Sequence, residues 1–520
     1  MPGKKRPKRR LAKPAQLKAL KRTDVRSKGK RPAKGSKLSK GAGLLKREPR
    51  SERIRDPLHN LIEFGADQFE HVIWQVMQTR AFQRLRRIKQ LGFSELVYPG
   101  ATHSRFAHSI GVFHTARHLM RIIERHIKVG GLHYRDHQAH VALAAALVHD
   151  VGHGMFSHAF EDVGKKLGIT MARHEHVSDL LIRDDGEISH AFHEMGSGFA
   201  NDVAAVLKLG RPGNLYDSVV SSQFDADRLD YMQRDRLMTG LQNSGIDFTW
   251  LMANLEIGKI KIGVDEEEVG EVETFILGPK AYHAAETYVL SLFQLYPTVY
   301  LHKTTRAAEK IFSAMFLQIV TLVRNGNWRQ TGLPQNHPLV RFASDPENLE
   351  NVLSLDDTVF WGALGLLADS RDQAIRECAS HLRDRRLPKC IDVRQELVSS
   401  LGSSKGLSVD EREARNKRLE RLIGSIEKRL QDWTTTNSSG MPRILTDRAS
   451  RDPYKRFQES KGPLNQIHIR SGNTISDVAE CSSVIAAVET FELFRAYVID
   501  AEAKTQVEKI VKEELETQHG

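Results

Sequence analysis

Residues 141–158 read VALAAALVHDVGHGMFSH, and the fold turns on how this stretch is read. Eight apolar residues run unbroken from 141 to 148, which fits an apolar helix over about 137–149. The run is far shorter than the ~20 residues that a bilayer span requires. Gly152 and Gly154 stop the helix and leave His149 and Asp150 at a buried helix end facing a cavity. The sequence thus sets an imidazole and a carboxylate side by side where an apolar segment gives way to a flexible one.

Working outward, fifteen of the 23 histidines fall between residues 101 and 200. Neutral imidazole is the commonest nitrogen ligand of divalent metals and also a general acid near neutral pH. Upstream of the central stretch lies Ser104-Arg105-Phe106-Ala107-His108-Ser109. Downstream come Asp225-Ala226-Asp227-Arg228-Leu229-Asp230-Tyr231 and then Arg234-Asp235. Taken singly, each residue is an ordinary core or capping residue, and Arg228 reads equally as an ion-pair partner of Asp225. Their order along the chain carries the argument.

The flanks extend the pattern. Asp56-Pro57-Leu58-His59, then Phe82-Gln83-Arg84-Leu85-Arg86 and on to Gly92, then Tyr98-Pro99-Gly100-Ala101-Thr102-His103 follow in sequence. Together these motifs resemble the H…HD…D signature of HD-domain phosphohydrolases, and within it the deoxynucleoside triphosphate triphosphohydrolase branch. That branch includes bacterial dGTPase-like enzymes and the vertebrate SAM-and-HD-domain dNTPase. The resemblance covers about residues 53–325. No SAM domain is expected before it, because residues 1–50 are too short and too charged.

The resemblance implies the site residue by residue. His108, His149, Asp150 and Asp227 would hold a divalent metal ion: Mg, Mn or Fe, with Zn or Co as further options. Two nitrogens and two carboxylate oxygens suit an octahedral ion that keeps positions for water and phosphate. His153, His158 and Glu161 would be catalytic. Glu161 would hold His158 in one tautomer so that it can protonate a leaving 5′-oxygen. Arg105, His174, Arg228 and Lys303 would contact the triphosphate, whose several negative charges call for fixed cations. Tyr231 would pack against the sugar and leave no room for a 2′-hydroxyl. Gln90 and Asp235 would hydrogen-bond the 3′-hydroxyl, with Tyr300 nearby. An effector site would use Gln83 and Arg86. Gln78 stands where the vertebrate relative has an acidic residue, and an amide offers one acceptor atom where guanine needs two. A nucleotide effector other than GTP stays open.

The implied activity is conversion of a dNTP to deoxynucleoside and inorganic triphosphate. Two other readings stay open: an HD-type phosphodiesterase or nuclease acting on nucleic acid or cyclic nucleotides, and a non-catalytic nucleotide sensor. The resemblance also implies a homo-oligomer built from dimers, as a tetramer or hexamer.

The rest of the chain reads as mostly α. Helical patterns recur at 70–91 (interrupted near Thr79 and Arg80), 104–128, 158–168, 176–182, 197–209, 216–238, 280–299, 301–325, 357–383 and 483–513. Residues 256–277 alternate and predict a small β-hairpin with an acidic turn at 265–268. A Gly/Ser-rich piece at 401–408 precedes a charged helix at about 410–433, either a solvated connector or a partner-binding coiled coil. A β-rich stretch near 466–475 predicts the start of a small C-terminal α+β lobe. The expected organisation is a tail at 1–50, an HD helical core at 51–330, a helical extension at 331–440 and the C-terminal lobe at 441–520.

Charge divides the same way. The whole chain carries +12, yet residues 1–50 alone carry +18 and the remainder −6. The tail holds no aromatic residue and too little apolar surface to offset the entropy of ordering, so disorder is expected. Such an arm is either a solubilising extension or a holder of polyanions, nucleic acid among them. Three widely spaced cysteines, Cys378, Cys390 and Cys481, argue against a disulfide scaffold. With no secretory h-region and no membrane segment, the expected compartment is the cytoplasm.

Overall fold

The computed structural model describes residues 51–517 apart from 185, 243–244, 265–266, 404–405 and 455–465, and gives 262–264 and 267–269 as backbone only. The basic tail and the centre of the acidic hairpin turn lie outside the described residues.

The chain opens with a hairpin that the sequence reading did not anticipate, β1 (Glu52–Asp56) antiparallel to β2 (Asn60–Phe64). Asp56 builds its turn by accepting from the backbone N–H groups of Leu58 and His59, each at 2.9 Å. The interrupted pattern at 70–91 resolves into α1 (Gln68–Gln78) and α2 (Arg80–Arg84), with a short 3-10 turn after them. Thr79 is the break: it ends α1 and its hydroxyl caps α2.

The core follows as α3 (Arg105–Val129), α4 (Asp136–Val148), α5 (His158–Leu167), α6 (His174–Arg183), α7 (Glu187–His193), α8 (Phe199–Leu209) and α9 (Ala226–Thr239). All of 141–148 in α4 is buried. A helix apolar on every side belongs at the centre of a bundle, and α4 packs there against α3 and α8. The segment 216–238 is not one helix: Tyr216–Val219 forms a 3-10 turn, and α9 starts only at Ala226. Asp225 fixes that start by accepting from Arg228 N at 2.8 Å.

After α10 (Phe248–Ala253), the predicted hairpin is present as β3 (Leu255–Val264) and β4 (Glu267–Leu277). The strands near 466–475, His468–Ser471 and Thr474–Asp477, do not open a C-terminal lobe. They extend the hairpin's sheet, with Leu277 paired parallel to Ile469. Next, α11 (Tyr282–Leu295) runs through a π turn at Tyr296–Tyr300 into α12 (Lys303–Arg324).

A second apolar cluster joins α5 and α12 to the helices Pro338–Ser344, Asp357–Ala368 and Gln373–Arg383. The expected helix at 357–383 is therefore two, divided where Asp372 caps the second. A third cluster packs Val409–Asn437 and Ala501–Thr517 against a sheet ordered Lys389–Asp392, Phe491–Val498, Ile444–Arg451. Here the expected helix at 483–513 gives way to a buried strand. Phe491–Val498 pairs antiparallel on both edges, so its mostly buried residues are those of a central strand, which periodicity alone cannot tell from a buried helix. The protein is mostly α, with small β elements around a helical core.

Candidate active site

Three helix ends supply the site. The N-terminus of α3, capped by Ser104, puts Arg105 and His108 on one face a turn apart. The C-terminus of α4 carries His149 and Asp150, and the first turn of α9 carries Asp227. The glycines that close α4 have steric work to do. A Cβ on Gly152 would lie 2.3 Å from the His174 carbonyl oxygen, and one on Gly154 would lie 2.6 Å from the Phe160 ring. Only glycine lets α6 and α5 approach this closely.

Three donor groups converge, His108, His149 and Asp227, and Asp150 stands beside them, paired with Arg105. His108 Nε2 lies 2.9 Å from Asp227 Oδ1 and 3.8 Å from Asp150 Oδ2. His149 Nε2 lies 3.4 Å from Asp150 Oδ1 and 3.7 Å from Asp227 Oδ1. The far sides of both rings are tied down: His149 Nδ1 donates to the Ala146 carbonyl at 2.9 Å, and His108 Nδ1 pairs with Asp230 Oδ2 at 2.9 Å. Asp230 is itself clamped by Arg234 at 2.7 and 3.0 Å and by His59 at 2.7 Å. Such outer contacts fix the tautomer that a metal-binding imidazole needs.

The donor set fits a divalent cation. His149 Nε2 is buried without a hydrogen-bond partner although it faces two carboxylates, and a buried polar atom left unpaired is costly unless something else fills the gap. Burial alone would keep His108 neutral, but hydrogen bonds to Asp227 and Asp230 lift its pKa to about 10. The pocket between these carboxylates is therefore one that demands positive charge.

A second cluster stands beside the first. Glu161 accepts from His158 Nδ1 at 3.1 Å and from His174 Nδ1 by a short hydrogen bond. Burial would raise its carboxyl, yet those two contacts hold it below the usual carboxylate range. His153 stacks on His174 with ring centroids 3.9 Å apart and places Nε2 3.2 Å from Asp150 Oδ1. Burial and the nearby Arg105 push the His153 pKa down, so this ring is neutral. Arg105 spans the clusters, pairing with Asp150 at 2.5 Å and donating from Nε to Ser157 Oγ at 2.9 Å.

Both clusters open on one cavity of about 760 Å3, lined also by Gln90 and Tyr231. Gln90 Oε1 is buried there without a partner. Asp235 is held on both oxygens, by His103 at 2.9 Å and by the Tyr300 hydroxyl at 2.8 Å. Arg228 does not line the cavity: it donates to the Ser222 carbonyl at 2.8 Å and lies 3.7 Å from Asp225. Lys303 is exposed at the start of α12 and also lies outside the lining. Instead, Arg173 and Lys208 line the cavity as cations. The sequence reading missed both, and also the roles of Asp230, His103 and Ser157. Asp230 was within reach, since its spacing of three from Asp227 and four from Arg234 puts all three on one helical face.

An HD domain model matches residues 105–232, the span from Arg105 to the second turn of α9. YwfO of Bacillus subtilis, itself uncharacterised, is 33% identical over 337 residues, 64% of this chain and 70% of that protein. A Dictyostelium discoideum protein named as a deoxynucleoside triphosphate triphosphohydrolase SAMHD1 homolog is 31% identical over 280 residues, which is 52% of this chain and 49% of the relative. In architecture, a crystal structure of a phosphohydrolase from Bacteroides thetaiotaomicron superposes with a TM-score of 0.63 at 24% identity, covering 86% of this chain and all of that one.

Proposed function

The chain belongs to the HD-domain, dNTP triphosphohydrolase-like family, and on that premise we propose that it hydrolyses dNTPs to deoxynucleoside and inorganic triphosphate. One observation carries this reading: a carboxylate–imidazole centre and a hydrogen-bonded His158–Glu161 pair stand side by side and open on one cavity. That pairing suits in-line attack at phosphorus, with water activation on one side and leaving-group protonation on the other.

His108, His149, Asp150 and Asp227 would hold the cation. When bound, a divalent ion lowers the pKa of a water and neutralises phosphate charge; Mg, Mn and Fe suit this donor set. Everything else falls to the protein's own groups. Arg105, His153 and His174 would receive the triphosphate, with Arg173 and Lys208 adding charge at the cavity wall. His158 would give its proton to the leaving 5′-oxygen, and Glu161 would stabilise the imidazolium before transfer and hold the ring in register. Tyr231 would pack on the deoxyribose. Gln90 and Asp235, the latter oriented by His103 and Tyr300, would take the 3′-hydroxyl. A hydroxyl site of this kind discriminates because its polar groups go unpaired when the hydroxyl is missing. The positions of Arg228 and Lys303 suit phosphate contact only after rearrangement, so they serve this reading least. A cytoplasmic homo-oligomer, a nucleotide effector and nucleic-acid contact through the basic tail complete the proposal.

The test is product analysis after incubating metal-loaded protein with each dNTP, each NTP, a dideoxy analogue and single-stranded DNA. Inorganic triphosphate is expected from dNTPs, with the dideoxy analogue turned over at least about tenfold more slowly. Shortened oligonucleotides, or binding without turnover, would replace this reading with the nuclease or the sensor.

A further inference from the structure

The turn that delivers His158 is unusual in its backbone. Phe156 and Ser157 are consecutive non-glycine residues with φ of 52° and 51°, a region that L-residues enter only where their surroundings over-determine it. His158 follows at once, and its side chain is 69% exposed, held by one hydrogen bond to Glu161 and edge contacts to the His153 and His174 rings with centroids 5.7 and 6.3 Å away. With most of the ring exposed, the turn before it does much to set its place.

Asp357, buried at 1% exposure, begins the helix Asp357–Ala368. It comes from a part of the chain two hundred residues away. Its Oδ1 accepts from Phe156 N at 2.8 Å and its Oδ2 from Lys89 N at 2.9 Å. One carboxylate thus ties the strained turn to the segment carrying the cavity residue Gln90. A second strut runs in parallel. Buried Arg84 donates to the Leu355 carbonyl at 3.0 Å and to the His153 carbonyl at 2.6 Å. The Phe156 ring is boxed by Phe93 and Phe360, with centroids 4.1 and 5.1 Å away. Neighbouring Asp356 points elsewhere, to Arg87 at 2.6 Å and to its own helix N-terminus.

We infer that Asp357 is a positioning residue for the phosphate-handling side of the site: it holds Phe156–Ser157 at positive φ and so sets where His158 and the Ser157–Arg105 contact sit, while anchoring Lys89 beside Gln90. The helix from 357 onward then belongs to the active site's frame although none of its side chains lines the cavity. The inference deepens the proposed function and rests on it for the role of His158, but the clamp itself can be observed without turnover.

The experiment compares full-length wild type with Asp357→Asn, Asp357→Ala and the control Asp356→Ala at pH 8. It measures amide exchange over 153–160, kcat and KM with the best dNTP, bound metal and Tm. Asp357→Asn keeps the volume and loses one acceptor, so it covers the case in which the alanine variant fails to fold. The expected result is about tenfold faster exchange in the turn, a fall in kcat of about 10–100-fold with KM within about threefold, and unchanged metal content. Asp356→Ala should lower Tm while leaving exchange in the turn and kcat as they were. Unchanged exchange and kcat in folded Asp357→Asn would overturn the inference, and so would equal losses in Asp356→Ala. If wild type hydrolyses no dNTP but the turn still loosens only in the Asp357 variants, the clamp stands and the reaction reading falls.

Discussion

The two histidine–carboxylate clusters that share the cavity are made of the same residue types but close their hydrogen bonds differently. In the first, His108, His149, Asp150 and Asp227 direct their ring nitrogens and carboxylates at one another, and His149 Nε2 remains buried and unpaired. In the second, Glu161 is satisfied from within by His158 and His174. The first arrangement is incomplete without added positive charge. The second closes Glu161 on two imidazoles and leaves His158 exposed to the cavity, although His153 Nδ1 in the same cluster is also buried without a partner. Whether a His/Asp/Glu group binds a cation or moves a proton depends less on its composition than on which donor–acceptor pairs close internally.

The largest test of that contrast removes the first cluster. His149→Ala combined with Asp150→Ala should abolish bound metal by elemental analysis and cut turnover by on the order of 10⁴-fold or more. Retained metal would move the cation to the second cluster and reverse the comparison. Next, Glu161→Gln should keep the metal and lower kcat about 100-fold, because His158 loses the group that orients it.

The same variant carries a pH signature. The Glu161 carboxyl is held below its ordinary value of 4.5 by its two histidine contacts, despite burial. Its stabilising contribution is therefore complete above that value and is lost as pH falls below it toward the depressed folded value. The Tm advantage of wild type over Glu161→Gln should be full above about pH 5 and shrink on acidification from there. An advantage independent of pH would mean that the ring–carboxylate contacts do not stabilise the ionised form.

The smallest effect probes the support behind the first cluster. Asp230→Asn should weaken metal affinity about 10–100-fold, read by titration with a chelator, without removing any of the four donors. It should also cost some stability, since buried Arg234 loses part of its clamp.

Much of this was legible because it is local. The start of the helical pattern at Ser104 and the apolar run ended by glycines at His149-Asp150 are features of a few adjacent residues, and each marks a helix end; the start of α9 at Ala226 was hidden, because 216–238 reads as one helical pattern. The interruption at Thr79 was readable for the same reason. The strand Phe491–Val498 was not, since a mostly buried strand that includes Glu492 and Arg495 shows neither clean alternation nor a helical period. Nor was the partnership of Arg228 decided in advance: both phosphate contact and pairing with Asp225 fit its position, and the structure turns it to Ser222 and Asp225.

By itself, the sequence determined which residue types stand at which helix ends, because capping, glycine sterics and apolar periodicity act over one or two turns of chain. Only the tertiary structure decided which of those ends meet. Ring nitrogens from α3 and α4 face a carboxylate on α9, and Asp357 reaches Phe156 N, because the burial of α4 on every side and the aromatic box around Phe156 draw distant segments together. Burial rewards removal of apolar area from water without specifying partners, so the directional contacts follow from the packing.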